Sequence, residues 1–191
     1  MRKLYWFATI LATLLTTGCA VRHSYVAPHA EFDLYDRIAV LPLEDRYFFT
    51  GKGMPVADSL YHRLATSPFE LVDWSHTLEV VTRGNWIPQQ QRDTRAVVDL
   101  GQQLQASAIL TGSIDEWRNK YLSSSSSTTR VLSSTHNYVS IVGLTLCLID
   151  CRCGHVVWTE SRRGSAMGRD KQNLAANRAL DQLVESLVDN F

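Results

Sequence analysis

The apolar residues of this chain change their spacing several times, and the changes predict the element order. Arg37 to Leu43 (RIAVLPL) is a short, β-branched apolar run closed by a proline and the acidic pair Glu44-Asp45, which predicts a buried strand. A turn-rich segment with Gly51 and Gly53 follows. Val56, Ala57, Leu60, Tyr61 and Leu64 then recur at helical spacing as far as Ser67-Pro68. Phe69 to Trp74 (FELVDW) is expected as a second strand, with Ser75 as the N-cap of a helix through Val80-Val81 that stops near Gly84-Asn85. Ala96, Val97, Leu100 and Leu104 form the stripe of another helix.

The second half has a different rhythm. Ala106 to Trp117 (ASAILTGSIDEW) is expected as a strand, followed by a serine-rich excursion up to Asn137. Tyr138 to Asp150 (YVSIVGLTLCLID) is apolar on both alternating faces, which predicts a strand covered on both sides. Cys151 to Gly154 makes a turn, and His155 to Glu160 (HVVWTE) returns toward Gly164. The end is the clearest helix, with Leu180, Leu183, Val184, Leu187, Val188 and Phe191 on one face. A front half alternating strand and helix and a back half of consecutive strands predict an α/β (α+β) domain: one mixed sheet, helices on its faces, and a C-terminal amphipathic helix.

The first residues read as an address rather than as fold. Arg2 and Lys3 precede the apolar stretch Leu4–Leu15, and Thr16-Thr17-Gly18-Cys19 supplies small residues at a cleavage site. The stretch is shorter than the roughly 20 apolar residues of a permanent span. Gly18-Cys19 closing such a leader resembles the bacterial lipobox, in which the cysteine is lipidated and becomes the new N-terminus. Thr16 departs from that pattern, since a leucine is usual there. Ala20 after the cysteine implies, by the same resemblance, the outer membrane as destination. The chain thus divides into a lipoprotein signal peptide (1–18), a lipidated Cys19 with a polar tether (19–36), and a domain (37–191).

Charge and motifs narrow the chemistry. Basic and acidic residues number 19 each, and losing Arg2 and Lys3 leaves 17 against 19, a balance without the basic footprint of a nucleic-acid binder. Gly51-Lys52-Gly53 lacks the other elements of a phosphate loop and reads as a turn. Asp73-Trp74-Ser75-His76 holds the residue types of a triad, but sequence neighbours point apart, and capping accounts for Ser75. His62, His76, His136 and His155 offer no paired spacing for a metal. No catalytic residue, metal or cofactor is expected, and the chain reads as a non-enzyme. Cys151-Arg152-Cys153 is spaced too closely for a zinc or redox pair. A structural role for these thiols is the first reading, and a disulfide between Cys147 and Cys153 across the hairpin is the second. The aromatic loop with Tyr47, Phe48 and Phe49 and the basic pair Arg162-Arg163 are the candidate contacts for a protein partner. For the aromatics, folding back onto the core is an equal alternative.

Three segments taken together, RIAVLPL, ASAILTGSIDEW and LTLCLIDCRCGHVVWTE with the final helix, resemble the envelope lipoproteins that share the domain of the curli-secretion lipoprotein and of the lipoprotein activator of a penicillin-binding protein. The likeness runs from about residue 37 to 191. Cys153 stands where that turn usually has threonine. The resemblance implies a lipoprotein held at the periplasmic face of the outer membrane, acting as scaffold or activator of an envelope protein complex. The alternative it implies is a homo-oligomeric ring in an outer-membrane secretion channel. A spanning strand needs about ten alternating residues, and neither the serine-rich excursion nor the helical stretch between Trp86 and Ala106 has that pattern.

Overall fold

In the computed structural model, residues 24–46, 51–87, 90–91, 93–122 and 138–191 are described. Their strands form one sheet in the order β1-β7-β6-β5-β2-β4, with β3 also paired to β5. In chain order these are β1 (Ser24–Val26), β2 (Arg37–Val40), β3 (Glu44–Asp45), β4 (Glu70–Leu71), β5 (Ala108–Tyr121), β6 (Tyr138–Asp150) and β7 (Val156–Met167). The helices are α1 (Gly53–Leu64), α2 (Trp74–Arg83), α3 (Thr94–Leu104) and α4 (Gln172–Val188). The sheet is mixed as expected. β4, β2 and β5 run parallel, while β5, β6, β7 and β1 are antiparallel.

Local chemistry explains where the elements start and stop. RIAVLPLED is one strand path broken at Pro42. Ile38–Val40 pair with Ala108–Leu110, and Glu44-Asp45 pair with Ser113-Ile114 further along the same partner. Proline has no N–H to give the ladder, so the pairing lapses around it and resumes beyond. The strand expected over Phe69–Trp74 is reduced to Glu70-Leu71, because Asp73 starts a helix: its carboxylate accepts the His76 N–H at 2.9 Å. Asp73, and not Ser75, is therefore the cap of α2. Asp93 caps α3 in the same way, accepting from Arg95 and Ala96.

Helices cover the sheet unevenly. On one face α1 and α4 lie over β2, β5, β6 and β7, enclosing Ile38, Leu60, Leu110, Leu144, Leu146, Trp158 and Leu183. Gly164 makes this packing close, since a Cβ there would fall 1.8 Å from the Ala175 carbonyl oxygen of α4. On the other face α2 and α3 cover only the β2 side, burying Leu41, Val97, Leu104, Ile109, Ile149 and Cys151. The even positions of β6 from Ser140 onward are thus sealed, whereas Thr145 and Cys147 on its second face are only half-buried. That corrects the expectation of a strand covered on both sides. Among the described residues, no helix is long and apolar enough to cross a membrane.

The segment expected as a tether (19–36) joins the fold from Ser24 onward. Ser24–Val26 add an edge strand antiparallel to β7, Phe32–Leu34 form a 3-10 turn, and Tyr35 is 2% exposed in the main core. Its polar composition gave little sign of this, since β1 is exposed and held by backbone hydrogen bonds rather than by burial.

Candidate functional site

The part of the second face beyond α2 and α3 carries the main polar cluster of the sheet. Alternation brings Ser113 and Thr145 to this side from neighbouring strands, and Ser161 from β7 beside them. The β5–β6 register then shifts between Ile114 and Glu116, so that Asp115 is an extra residue without a cross-strand partner. Such a bulge re-aims the side chains around it. Here it puts two successive acids, Asp115 and Glu116, on one surface.

Asp115 collects donors from three directions. Ser113 Oγ donates to Oδ1 at 2.8 Å, Thr145 Oγ1 donates to Oδ2, and Arg46 Nη1 lies 3.0 Å from Oδ1. The Ser161 hydroxyl reaches Thr145 at 2.7 Å and extends the chain onto β7. Glu116 sits opposite Gly143 and is held by two arginines, Arg118 through Oε1 and Arg163 Nη2 at 2.7 Å through Oε2. Its own side chain is 9% exposed, but those of Arg118 and Arg163 are 54% and 67% exposed. The face therefore presents two guanidinium edges beside a hydroxyl cluster that is bonded to Asp115, with Asp115 and Glu116 matched by Arg46, Arg118 and Arg163. It can exchange hydrogen bonds and ion pairs with a partner without presenting a large single-sign field.

The two arginines expected to form one basic patch are separated by strand alternation. Arg163 faces outward on this surface. Arg162 points through the sheet to the α4 side, where it pairs with Glu160 and is 13% exposed. Ser186 of α4 donates to the same Glu160 carboxylate. Arg162 is therefore corrected from an exposed contact to an internal ion pair.

A second cluster lies at the β6–β7 turn. Asp150 accepts the Tyr35 hydroxyl at 3.2 Å, the Arg152 backbone N–H at 2.7 Å and the Arg152 guanidinium at 2.6 Å. Burial alone would raise the Asp150 carboxyl, but the hydrogen bonds and charge of Arg152, with the Tyr35 hydroxyl, bring it below its usual value. The same contact raises Tyr35, by burial first and then by the Asp150 charge. Gly154 at φ 70° closes the turn, which opens on a cleft of about 590 Å³ bordered by His29, Glu31, Cys153 and His155.

The three described cysteines are free thiols, so the Cys147–Cys153 bridge is not formed. Cys153 lines the cleft beside Asp150, while Cys147 faces the α2–α3 side with its sulfur 4.0 Å from Gln91 Oε1. Burial pushes the Cys147 thiol up to about 12, and burial with the neighbouring Asp150 charge does the same for Cys151. Neither is a reactive thiolate at neutral pH. Among the described residues no group of three or more His, Cys, Asp or Glu is placed to hold a metal. Cys19, Tyr47, Phe48 and Phe49 lie outside the described residues, as does most of the serine-rich excursion. The sequence reading missed the Asp115 cluster, because a bulge one residue long leaves no pattern. It also missed the Tyr35–Asp150 contact, which joins residues far apart in the chain.

No family model and no curated protein matches the chain. Solved structures do. A point variant of PelC from Paraburkholderia phytofirmans, a dodecamer, superimposes with a TM-score of 0.56 at 17% identity, over 88% of this chain and 97% of PelC. Lipoprotein GNA1162 from Neisseria meningitidis gives 0.53 at 18% identity, over 81% and 96% of the two chains. The hypothetical protein CT253 from Chlamydia trachomatis gives 0.52 at 15% identity, over 80% and 95%. At such identities the shared property is the fold. It is the architecture expected from the three sequence segments, and it is one that a known lipoprotein carries.

Proposed function

We propose that this chain is a non-enzymatic accessory lipoprotein of the bacterial envelope. Cys19 carries the lipid, the domain stands at the periplasmic face of the outer membrane, and it engages another envelope protein as scaffold or activator of that protein's complex. The observation that carries this reading is the half-face around Asp115, Glu116 and Arg163, which none of the described helices covers. A polar, charge-matched sheet surface on an otherwise helix-covered fold is suited to a specific and reversible contact. The leader ending in Gly18-Cys19 and the fold shared with lipoprotein GNA1162 support the anchored setting.

Crosslinking from native membranes tests it. Wild-type protein is expected to capture one envelope protein, Cys19→Ala to lose the capture, and Arg163→Glu to weaken it while remaining membrane-bound. Capture that survives both substitutions overturns the reading.

One observation favours a second reading: PelC, with the same fold, was solved as a dodecamer. On that reading the chain is a ring-forming component of an outer-membrane secretion channel, and its first partner is itself. Light scattering on detergent-solubilised protein separates the two. A monomer-sized particle supports the accessory reading, and a particle of many copies supports the ring.

A further inference from the structure

One end of the sheet combines exposed aromatic and apolar side chains with basic ones. At the far end of β5, Tyr121 and Leu122 are 56% and 40% exposed, and Met167 at the end of β7 is 60% exposed. Tyr121 pairs with Tyr138 across the β5–β6 ladder, their rings edge to face with centroids 5.2 Å apart. The Arg169 guanidinium lies 5.6 Å from the Tyr138 ring centroid. Lys120 and Lys171 are exposed beside it. Asp170 is the acid of this group, and it accepts a hydrogen bond from Asn119 at 3.2 Å. Among the described residues, three cations around a single anion, interleaved with tyrosines, are the composition of a surface that sits at headgroup level on a bilayer.

The course of the chain turns this end toward the anchor. β1 is antiparallel to β7, with Val26 opposite Trp158 and Ser24 opposite Glu160. Traced back from Val26 to Ser24, the chain therefore heads toward Met167. Ser24 lies five positions after Cys19, a reach of about 17 Å at full extension. From Glu160 to Met167 the strand rises about 23 Å. Continued along that line, the chain would bring a lipid on Cys19 to within a short distance of the Tyr121–Met167 end.

We propose that this end is a second membrane contact: Tyr121, Leu122 and Met167 rest at the interface while Lys120, Arg169 and Lys171 meet anionic phospholipid headgroups of the leaflet that holds Cys19. The contact rests on the reading of Cys19 as lipidated. It fixes the tilt of the domain, so that the face around Arg163 stands at a set height above the membrane.

The test uses the full lipidated chain in vesicles of phosphatidylethanolamine with phosphatidylglycerol. A polarity-sensitive thiol probe is placed at Leu122→Cys, or at Arg83→Cys on α2 as the distant control, in a Cys153→Ser background. The other described thiols are removed as well, by Cys147→Ser and Cys151→Ala, so that the probe sits at one described position. Flotation reports the anchor, and quenching by spin-labelled lipid reports depth. The expected result is a floated protein whose probe at 122 is blue-shifted and quenched while the probe at 83 is not. The combined change Lys120→Glu, Arg169→Glu and Lys171→Glu abolishes the difference without stopping flotation. A chain that does not float overturns the anchor and the contact together. A floated chain whose probe at 122 stays in water, or is equally quenched in phosphatidylethanolamine–phosphatidylcholine vesicles, overturns the contact and leaves the anchor standing.

Discussion

The sheet carries a carboxylate–arginine group on each of its faces, and the two have opposite surroundings. On the helix-covered face Glu160 and Arg162 lie under α4, their side chains 2% and 13% exposed, with Ser186 of the helix donating to the carboxylate. On the open face Glu116 is also buried, but its partners Arg118 and Arg163 extend into solvent. Arg162 and Arg163 are adjacent in sequence, and the alternation of β7 sends one to each side. The difference shows that residue type alone does not mark a recognition site. The same pair is a packing element where a helix seals it and, on the proposed reading, a docking element where no described helix does. Desolvation separates the two, because a buried pair depends on its partner far more than a wet one does.

The largest effect is therefore expected from breaking the sealed pair. Arg162→Ala leaves the Glu160 carboxylate under α4 without its cation, a change that costs about 3–5 kcal/mol in buried pairs. That is a large share of the roughly 5–15 kcal/mol by which a domain is stable. Urea unfolding at neutral pH measures it. The double change Glu160→Leu with Arg162→Met removes both charges and restores most of the loss, because apolar side chains suit a site whose cross-strand neighbours are Leu144 and Leu146. Among the described residues Arg162 Nη1 is buried without a hydrogen-bond partner, so this pair is not an optimised one. A double variant as unstable as the single one breaks the comparison, since the fault then lies in shape and not in charge.

The Asp150 cluster lies between these extremes, being buried at the carboxylate and open at Arg152. Asp150→Asn weakens the hydrogen bonds from Tyr35 and Arg152 and is expected to cost about 1–3 kcal/mol at pH 7. The sign of its pH dependence follows from the lowered carboxyl. A carboxylate whose folded value lies below its unfolded one stabilises the fold above the unfolded value, near 3.8, and loses that contribution as pH falls through the folded value. Wild type and Asp150→Asn should therefore begin to converge in stability as pH falls below about 4, and meet below the lowered folded value. Tyr35→Phe serves as the control: it loses one hydrogen bond, about 1 kcal/mol, and keeps the acid-dependent part supplied by Arg152. Parallel stability curves for wild type and Asp150→Asn across the acid range sink the assignment.

How far the sequence revealed this molecule depends on what each feature is made of. The four helices and the long strands were legible because burial imposes a period, as in Val97, Leu100 and Leu104 of α3 or Leu180, Leu183 and Leu187 of α4. The mixed sheet followed from their order. The N-terminal edge strand was not legible: Ser24–Val26 are exposed and joined to β7 by backbone groups, which leave no trace in side-chain pattern. Nor was the open face. Thr145, Cys147 and Ile149 look alike as a half-apolar row, and only the placement of α2 and α3 decides that Ile149 is sealed while Thr145 meets water. Of the candidate contact residues the composition picked out both arginines, and geometry kept one of them for the surface.

The smallest change in stability is expected at Arg163, and there a small change is informative. Its side chain is 67% exposed, and exposed ion pairs contribute about 0–1 kcal/mol. Glu116 keeps Arg118 when Arg163 is lost, so its carboxylate is not left unpaired. Arg163→Ala should accordingly unfold within about 1 kcal/mol of wild type and yet weaken capture of the envelope partner. The matched variant Arg118→Ala tests whether the two guanidinium edges act together. If both lower capture with little loss of stability, the open face is where the partner binds. If Arg163→Ala destabilises the fold as much as Arg162→Ala does, the two faces are equally dry, and the division between packing and docking on which the functional reading depends is lost.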